Sequence, residues 1–342
     1  MMQTINGLLK ETMIYANRFS LRAQTGWDYT AGNPVLTASQ FPSDIMYVMN
    51  PGAIKFNGEY LLLVDAATTS TPIVFWIARS RDGIHFTPDP EPIDWPAHRC
   101  HETCVFDIRV TEIEGVYYLM YCSMTVERGV ALGLVKTTDF VHFERIHQAD
   151  MGYEFRNGAL FPEKINGRYV RFDRPMPKNI EEQAGMCVSY SDDLIHWNGT
   201  VDLMQPRQGC WDSLKIGAGA VPIKTPAGWL EIYHGVDNSS CNDYIYRLGT
   251  VLLDLNDPSK IIARAELPVM WPEHSYELSG RCSNVVFTAN ALVEEDGNTV
   301  RMYYGCADTC IGMATAKLDE LVDFTLHGEN TRIRRFFRTI GE

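Results

Sequence analysis

The chain has no long apolar run. A membrane-spanning helix needs roughly 20 such residues, and no stretch of the sequence approaches that length. Positive charge is also scarce. Thirty Lys and Arg stand against 43 Asp and Glu, a net charge of -13. That field repels nucleic acid and anionic membranes, so neither is an expected partner. An anionic ligand would have to be held by a local group of cations. The cysteines lack order: nine of them, scattered, without Cys-x-x-Cys pairs. Cys100/Cys104 and Cys306/Cys310 are each four apart, yet both lie in strand-like sequence with no His at finger spacing. No metal and no cofactor is therefore expected, and free thiols fit a reducing compartment. Met1 to Gly7 has neither the basic nor the apolar region of a secretory signal. A cytoplasmic location is the expectation, which would leave the sequons at Asn198 and Asn238 as chance.

What is present is a repeat. Residues 1–25 carry Leu8, Leu9, Met13 and Ile14 at helical spacing, which predicts a short amphipathic arm. Beyond Asn33 the pattern changes to short strands and turns and stays so to the end. Five units share one plan: a turn Gly, an alternating strand, a second strand ending in small residues, and a polar turn closed by an aromatic. Unit one runs from Gly58-Glu59-Tyr60 through Trp76 to Asp82-Gly83-Ile84-His85-Phe86. Units two and three repeat it, ending at Asp139 to Phe143 and at Asp193 to Trp197; units four and five begin near Gly228 and Thr299. Five such units predict an all-β, five-bladed β-propeller formed as a single domain over 1–342, with 1–32 as its arm. The repeated aromatics Phe86, Phe143, Trp197 and Phe324 are expected to pack between blades.

Propellers bind ligands where the innermost strands converge, so function should lie in residues that break the repeat. Asp107 is one, set between Phe106 and Ile108 at the entrance of unit two. Units three and four add Arg156, Arg174, Lys215 and His234. A cation group in so acidic a chain suits phosphate, with forked donors from Arg and a point charge from Lys. Arg171 could replace Arg174 in that set, and Lys164 reads as a solvated charge. Glycosyl transfer usually takes two carboxyls. One acid facing a phosphate pocket is instead a phosphorolysis set, because phosphate can itself attack the anomeric carbon.

The chain resembles glycoside hydrolase family 130, the β-mannoside phosphorylases and their hydrolytic relatives. The motifs that carry the likeness span about Asn33 to Asp323. They include Asn50-Pro51-Gly52-Ala53, Asp107-Ile108-Arg109-Val110, Leu160 to Ile165, Asp173-Arg174-Pro175, Ile216 to Gly219, Tyr233-His234-Gly235 and Tyr246-Arg247-Leu248-Gly249. The resemblance implies inverting phosphorolysis of a β-mannoside to α-mannose 1-phosphate, with inorganic phosphate as co-substrate. It implies Asp107 as general acid, acting through the 3-hydroxyl of the mannose. It implies Arg156, Asn157, Arg174, Lys215 and His234 as phosphate ligands, with Tyr246 as a further candidate. Asn50, Arg109, Asp308 and Asp65 are the candidate substrate contacts. Two departures stand out: Asp65 lies where the family usually has Arg, and the acid is flanked by Phe106 and Ile108 where the family usually has Glu or Tyr and Pro.

Two other readings make distinct demands. An inverting β-mannosidase needs a second carboxylate, Glu277 or Asp65, across a gap of about 6.5–9.5 Å from Asp107. A non-catalytic glycan-binding propeller needs Asp107 to be structural. A homo-oligomer is compatible with all three.

Overall fold

The computed structural model describes residues 28–29, 32–68, 73–96, 102–125, 129–148, 155–176, 185–240 and 243–328. The first strands are β1 (Asp28–Tyr29) and β2 (Leu36–Thr37). Blade one holds β3 (Ile45–Phe56), β4 (Glu59–Thr68), β5 (Val74–Ser80) and β6 (Thr87–Pro88). Blade two holds β7 (Glu102–Ile113), β8 (Val116–Thr125), β9 (Gly129–Thr137) and β10 (Glu144–Gln148). Blade three holds β11 (Phe155–Leu160), β12 (Tyr169–Pro175), β13 (Met186–Ser191) and β14 (Trp197–Met204). Blade four begins with a broken inner strand, β15 (Lys215–Gly217) and β16 (Ile223–Thr225). It continues with β17 (Gly228–Ser240), β18 (Asp243–Leu253) and β19 (Ile261–Arg264). A one-turn helix, α1 (Ser275–Leu278), precedes β20 (Val286–Val293), β21 (Thr299–Cys306), β22 (Cys310–Lys317) and α2 (Leu318–His327).

Each sheet is an antiparallel meander, and the ring closes at blade five. There β1 and β2 pair with β22, placing Asp28 opposite Thr315 and Leu36 opposite Ile311. The chain's beginning thus supplies the outer strands of its last blade. Residues 28–29, within the expected 1–32 arm, pair with blade five. The helical reading of residues 1–25 lies outside the described residues.

The core is divided among the blade interfaces. Middle strands are apolar on both faces because both faces meet a neighbouring blade; Leu61, Leu62, Leu63 and Val64 of β4 are all buried. Outer strands need cover on neither side, and β14 exposes its residues from Asn198 to Asp202. Apolar clusters join blades one and two, two and three, three and four, four and five, and five and one.

The polar turns of the repeat also have a cause. In blades one to three the carboxyls of Asp82, Asp139 and Asp193 accept the N–H groups two and three residues on. Each also meets a His Nδ1 at 2.7 Å. Those bonds hold the three carboxyls well below the usual carboxylate range. Phe86, Phe143 and Trp197 pack between blades as expected; Phe86, for example, meets Tyr303 of blade five edge-on at 5.4 Å. Phe324 departs from the repeat. It lies in α2, whose buried face replaces the fifth aromatic turn and covers blades four and five.

Candidate active site

The innermost strands of blades one, two and three each carry a β-bulge. The ladders slip between Met49 and Gly52, between Phe106 and Arg109, and between Arg156 and Ala159. At each bulge one residue takes a left-handed backbone: Asn50 (φ 49°), Asp107 (φ 57°) and Asn157 (φ 55°). Asn and Asp tolerate that conformation better than other side chains. The bulges re-aim three polar side chains so that they meet. Asn50 Nδ2 donates to Asp107 Oδ1 at 2.7 Å, and Asn157 Nδ2 donates to Oδ2 at 3.2 Å. Asp107 is 8% exposed. Burial pushes its carboxyl up, against the pull of Arg109, the Asn50 amide, Arg156 and Arg174.

Next to this acid two side chains reach from one blade to another. Asn290 of β20 exchanges two hydrogen bonds with the main chain of Val110, at 3.0 and 2.9 Å. Arg109 reaches from blade two to the carbonyls of Gly219 (2.8 Å) and Ala218 (2.7 Å), and its third nitrogen donates to the Asp107 carbonyl (3.0 Å). All three guanidinium nitrogens are committed to main chain and the residue is fully buried. Arg109, expected as a substrate contact, is therefore a strut under Asp107. Its charge still acts on the acid through space.

The cations gather on blades three and four. Arg156 and Arg174 are cross-strand partners on β11 and β12. Arg174 Nη1 donates to His234 Nε2 at 3.3 Å, which places the ring proton on Nδ1, since a guanidinium cannot accept. The Nε atoms of Arg156 and Arg174 are buried without a partner among the described residues. Lys215 Nζ sits 5.1 Å from the centre of the Tyr246 ring and 5.4 Å from that of Tyr244. Among the described residues none of these three cations forms an ion pair. Their charges are consequently strained: burial, with help from Arg156, lowers Arg174 to about 10. Burial and the two arginines bring Lys215 down to about 8. Burial first, then Arg174, Arg109 and Lys215, hold His234 neutral, well below its ordinary value. Burial pushes the Tyr246 hydroxyl up to about 12, so it stays a donor at neutral pH. The Tyr246 and His234 rings stack at 6.2 Å.

The remaining candidates separate cleanly. Arg171 is ion-paired with Asp173 at 2.8 Å and stacks over Trp197 at 4.0 Å, so it does not replace Arg174. Lys164 lies over the Tyr169 ring at 4.4 Å. Asp308 stands at the tip of the β21–β22 hairpin with φ 50°; burial first, and Asp107 as well, raise its carboxyl. Asp65 is fully buried and accepts the Asp107 N–H at 3.0 Å. Glu277, the other candidate for a second carboxylate, accepts from Tyr304 and from the N–H groups of Glu273 and His274 at 2.8–2.9 Å.

This arrangement can be set beside known proteins. The model of a family described as beta-1,4-mannooligosaccharide phosphorylase matches residues 11–327. The chain belongs to glycoside hydrolase family 130. It is 32% identical over 331 residues to the beta-1,4-mannooligosaccharide phosphorylase of Ruminococcus albus, covering 94% of this chain and 97% of the relative. It is 38% identical over 247 residues to a beta-1,2-mannobiose phosphorylase of Listeria innocua, covering 72% of this chain and 67% of the relative. The solved beta-1,2-mannobiose phosphorylase from Listeria innocua, in complex with beta-1,2-mannobiose, superposes with a TM-score of 0.78. That match has 29% identity and covers 87% of this chain and 99% of that one.

In this member of family 130, close packing decides where the site's rings can stand. Gly217 is a case that motif reading passes over. A Cβ there would lie 2.6 Å from His234 Cε1 and 3.1 Å from Asn157 Oδ1. Gly305 makes the same kind of room for Asn50, whose Oδ1 would be 2.6 Å from an added Cβ. Gly217→Ala is expected to displace the His234 ring and weaken the cation pocket. Overpacking of this kind costs about 1–3 kcal/mol, so the KM for phosphate should rise about tenfold. Steady-state kinetics with phosphate varied checks this; an unchanged KM would show that His234 and its pocket are not set by that contact.

Proposed function

We propose that this chain is an inverting β-mannoside phosphorylase. Phosphate, held by Arg156, Arg174, Lys215 and the neutral His234, attacks the anomeric carbon of a β-mannoside. The C1–O bond to the leaving sugar breaks as the new C1–O bond to phosphate forms on the opposite face. Asp107 supplies the proton for the leaving oxygen, by way of the 3-hydroxyl as in the family. The products are α-mannose 1-phosphate and the shortened or acceptor sugar. Asp107 then takes its proton back from solvent. Asn50 and Asn157 position the acid from both sides, and Asp308 offers a carboxyl to sugar hydroxyls.

The observation that carries this reading is a group of cations that have no carboxylate partner among the described residues, beside an acid positioned from both sides. Keeping such charges buried is costly unless an anion joins them. The hydrolytic reading needs a second carboxylate across a water-sized gap. Glu277 is committed to its own hydrogen bonds, and Asp65 lies against the Asp107 main chain, so neither supports it. The test is synthesis in reverse. Supplied with α-mannose 1-phosphate and mannose, glucose or N-acetylglucosamine as acceptor, the enzyme should release phosphate and form a new β-mannoside with at least one of them. Release with none would count against the proposal.

A further inference from the structure

Asp65 has a place in this site that the reaction scheme above leaves unused. It lies on β4, opposite Met49, where the bulge of β3 begins. Its Oδ2 accepts the Asp107 N–H at 3.0 Å, while Oδ1 is buried with no partner among the described residues. The residue has no exposed surface. A carboxylate so placed would be a buried charge with one amide to satisfy it, which is expensive in a low-dielectric site. Its electrostatic neighbours make ionisation harder. From β7 it faces Asp107 and, beyond it, Cys104; from the β21–β22 hairpin it faces Asp308. The opposing charge felt by Asp65 is that of Arg109, which is tied to main-chain carbonyls; Arg281 acts on Asp308 and Cys104 from the far side. Arg156 and Arg174 act on Asp107, next to the buried thiol of Cys122.

We propose that Asp65 works as a neutral carboxylic acid, a positioning residue that fixes the bulge of Asp107 through Oδ2 from beneath the site. This rests on the phosphorylase reading for the role of Asp107. Burial, reinforced by Asp107 and Asp308, raises the Asp65 carboxyl well above the usual range, which agrees with the neutral form. The role also fits the needs of Asp107. A charged neighbour would change the proton affinity of the donor at every pH at which the neighbour titrates. A neutral one leaves Asp107 free to cycle between its acid and its carboxylate.

Two variants and one spectrum test this. Asp65→Asn keeps both the acceptor and a donor at the same positions but cannot ionise. It is expected to retain kcat/KM within about threefold and to keep the wild-type pH profile between pH 5 and 8. Asp65→Leu keeps the volume and loses the bond to the Asp107 N–H; kcat/KM is expected to fall about 100-fold, with the larger part in kcat. Infrared difference spectroscopy of the whole enzyme should show a protonated carboxyl C=O band at pH 8 that is missing in Asp65→Asn and present in Asp107→Asn. The proposal is overturned if Asp65→Asn is as impaired as Asp65→Leu, since the charge would then be required. It is equally overturned if both variants match the wild type, or if the band is absent. Should Asp65→Leu fail to fold, Asp65→Asn and the spectrum decide alone. Phosphate-dependent turnover of the wild type is measured first, and the spectrum does not depend on which reaction the enzyme performs. A failure of the phosphorylase reading is therefore separable from a failure of this one.

Discussion

Asp107→Asn is expected to lower kcat about 10²–10⁴-fold, the range that a positioned proton donor contributes. Phosphate binding and the fold should survive. Asparagine accepts the left-handed backbone that Asp107 adopts at φ 57°, and the Asp65 bond to its N–H does not involve the side chain. The variant gives up one of two amide contacts, because Asn50 and Asn157 both donate and an amide has one acceptor. Calorimetric titration with phosphate beside single-turnover kinetics separates the two effects. A variant that binds phosphate normally and still turns over at the wild-type rate would remove Asp107 from the role of acid. The reading in which the propeller only binds glycans would gain if the wild type itself bound them without turnover.

Arg174→Met should act on the other half of the site, and in opposite directions on catalysis and stability. Hydrogen bonds to charged groups contribute about 1.5–3 kcal/mol, so kcat/KM for phosphate should fall about 100-fold. Without phosphate the variant should be as stable as the wild type or more so. Arg174 is buried, its Nε has no partner among the described residues, and it lies against Arg156 and Lys215. Removing it relieves a repulsion that phosphate otherwise relieves. Phosphate should raise the melting temperature of the wild type through preferential binding to the folded state, and do so less in Arg174→Met. The pocket also carries a pH signature. Lys215 titrates at about 8 in the free protein, so phosphate affinity should decline as pH rises past that point. A variant with unchanged phosphate kinetics would place the anion elsewhere.

The propeller and the cation group are legible in the sequence for different reasons. The blades repeat, and repetition makes each strand's role visible several times over. The cations are visible because Arg156 and Arg174 of unit three have counterparts, Lys215 and His234, on β15 and β17 of unit four in an acidic chain. Arg109 differs from its expected role because a motif shows which residues are near the acid and not which way they face. Its three bonds to carbonyls of residues 107, 218 and 219 depend on the ring bringing blade four across from blade two. Arg171 and Arg174 alternate on one strand, and only Asp173 and Trp197, packed from within the blade, decide which is structural. The bulges left a signal that could have been read: Asn50, Asp107 and Asn157 are residues tolerant of left-handed backbone, set inside otherwise strand-forming runs. Ring closure by residues 28–29 leaves almost none, because a two-residue strand has no periodicity.

The most direct measurement follows a β-mannobioside incubated with the enzyme with and without inorganic phosphate, read by phosphorus NMR and by free mannose. Phosphorolysis requires α-mannose 1-phosphate to appear in step with substrate loss, and both to stop when phosphate is left out. Cleavage that continues at the same rate without phosphate, releasing free mannose and no sugar phosphate, would contradict it.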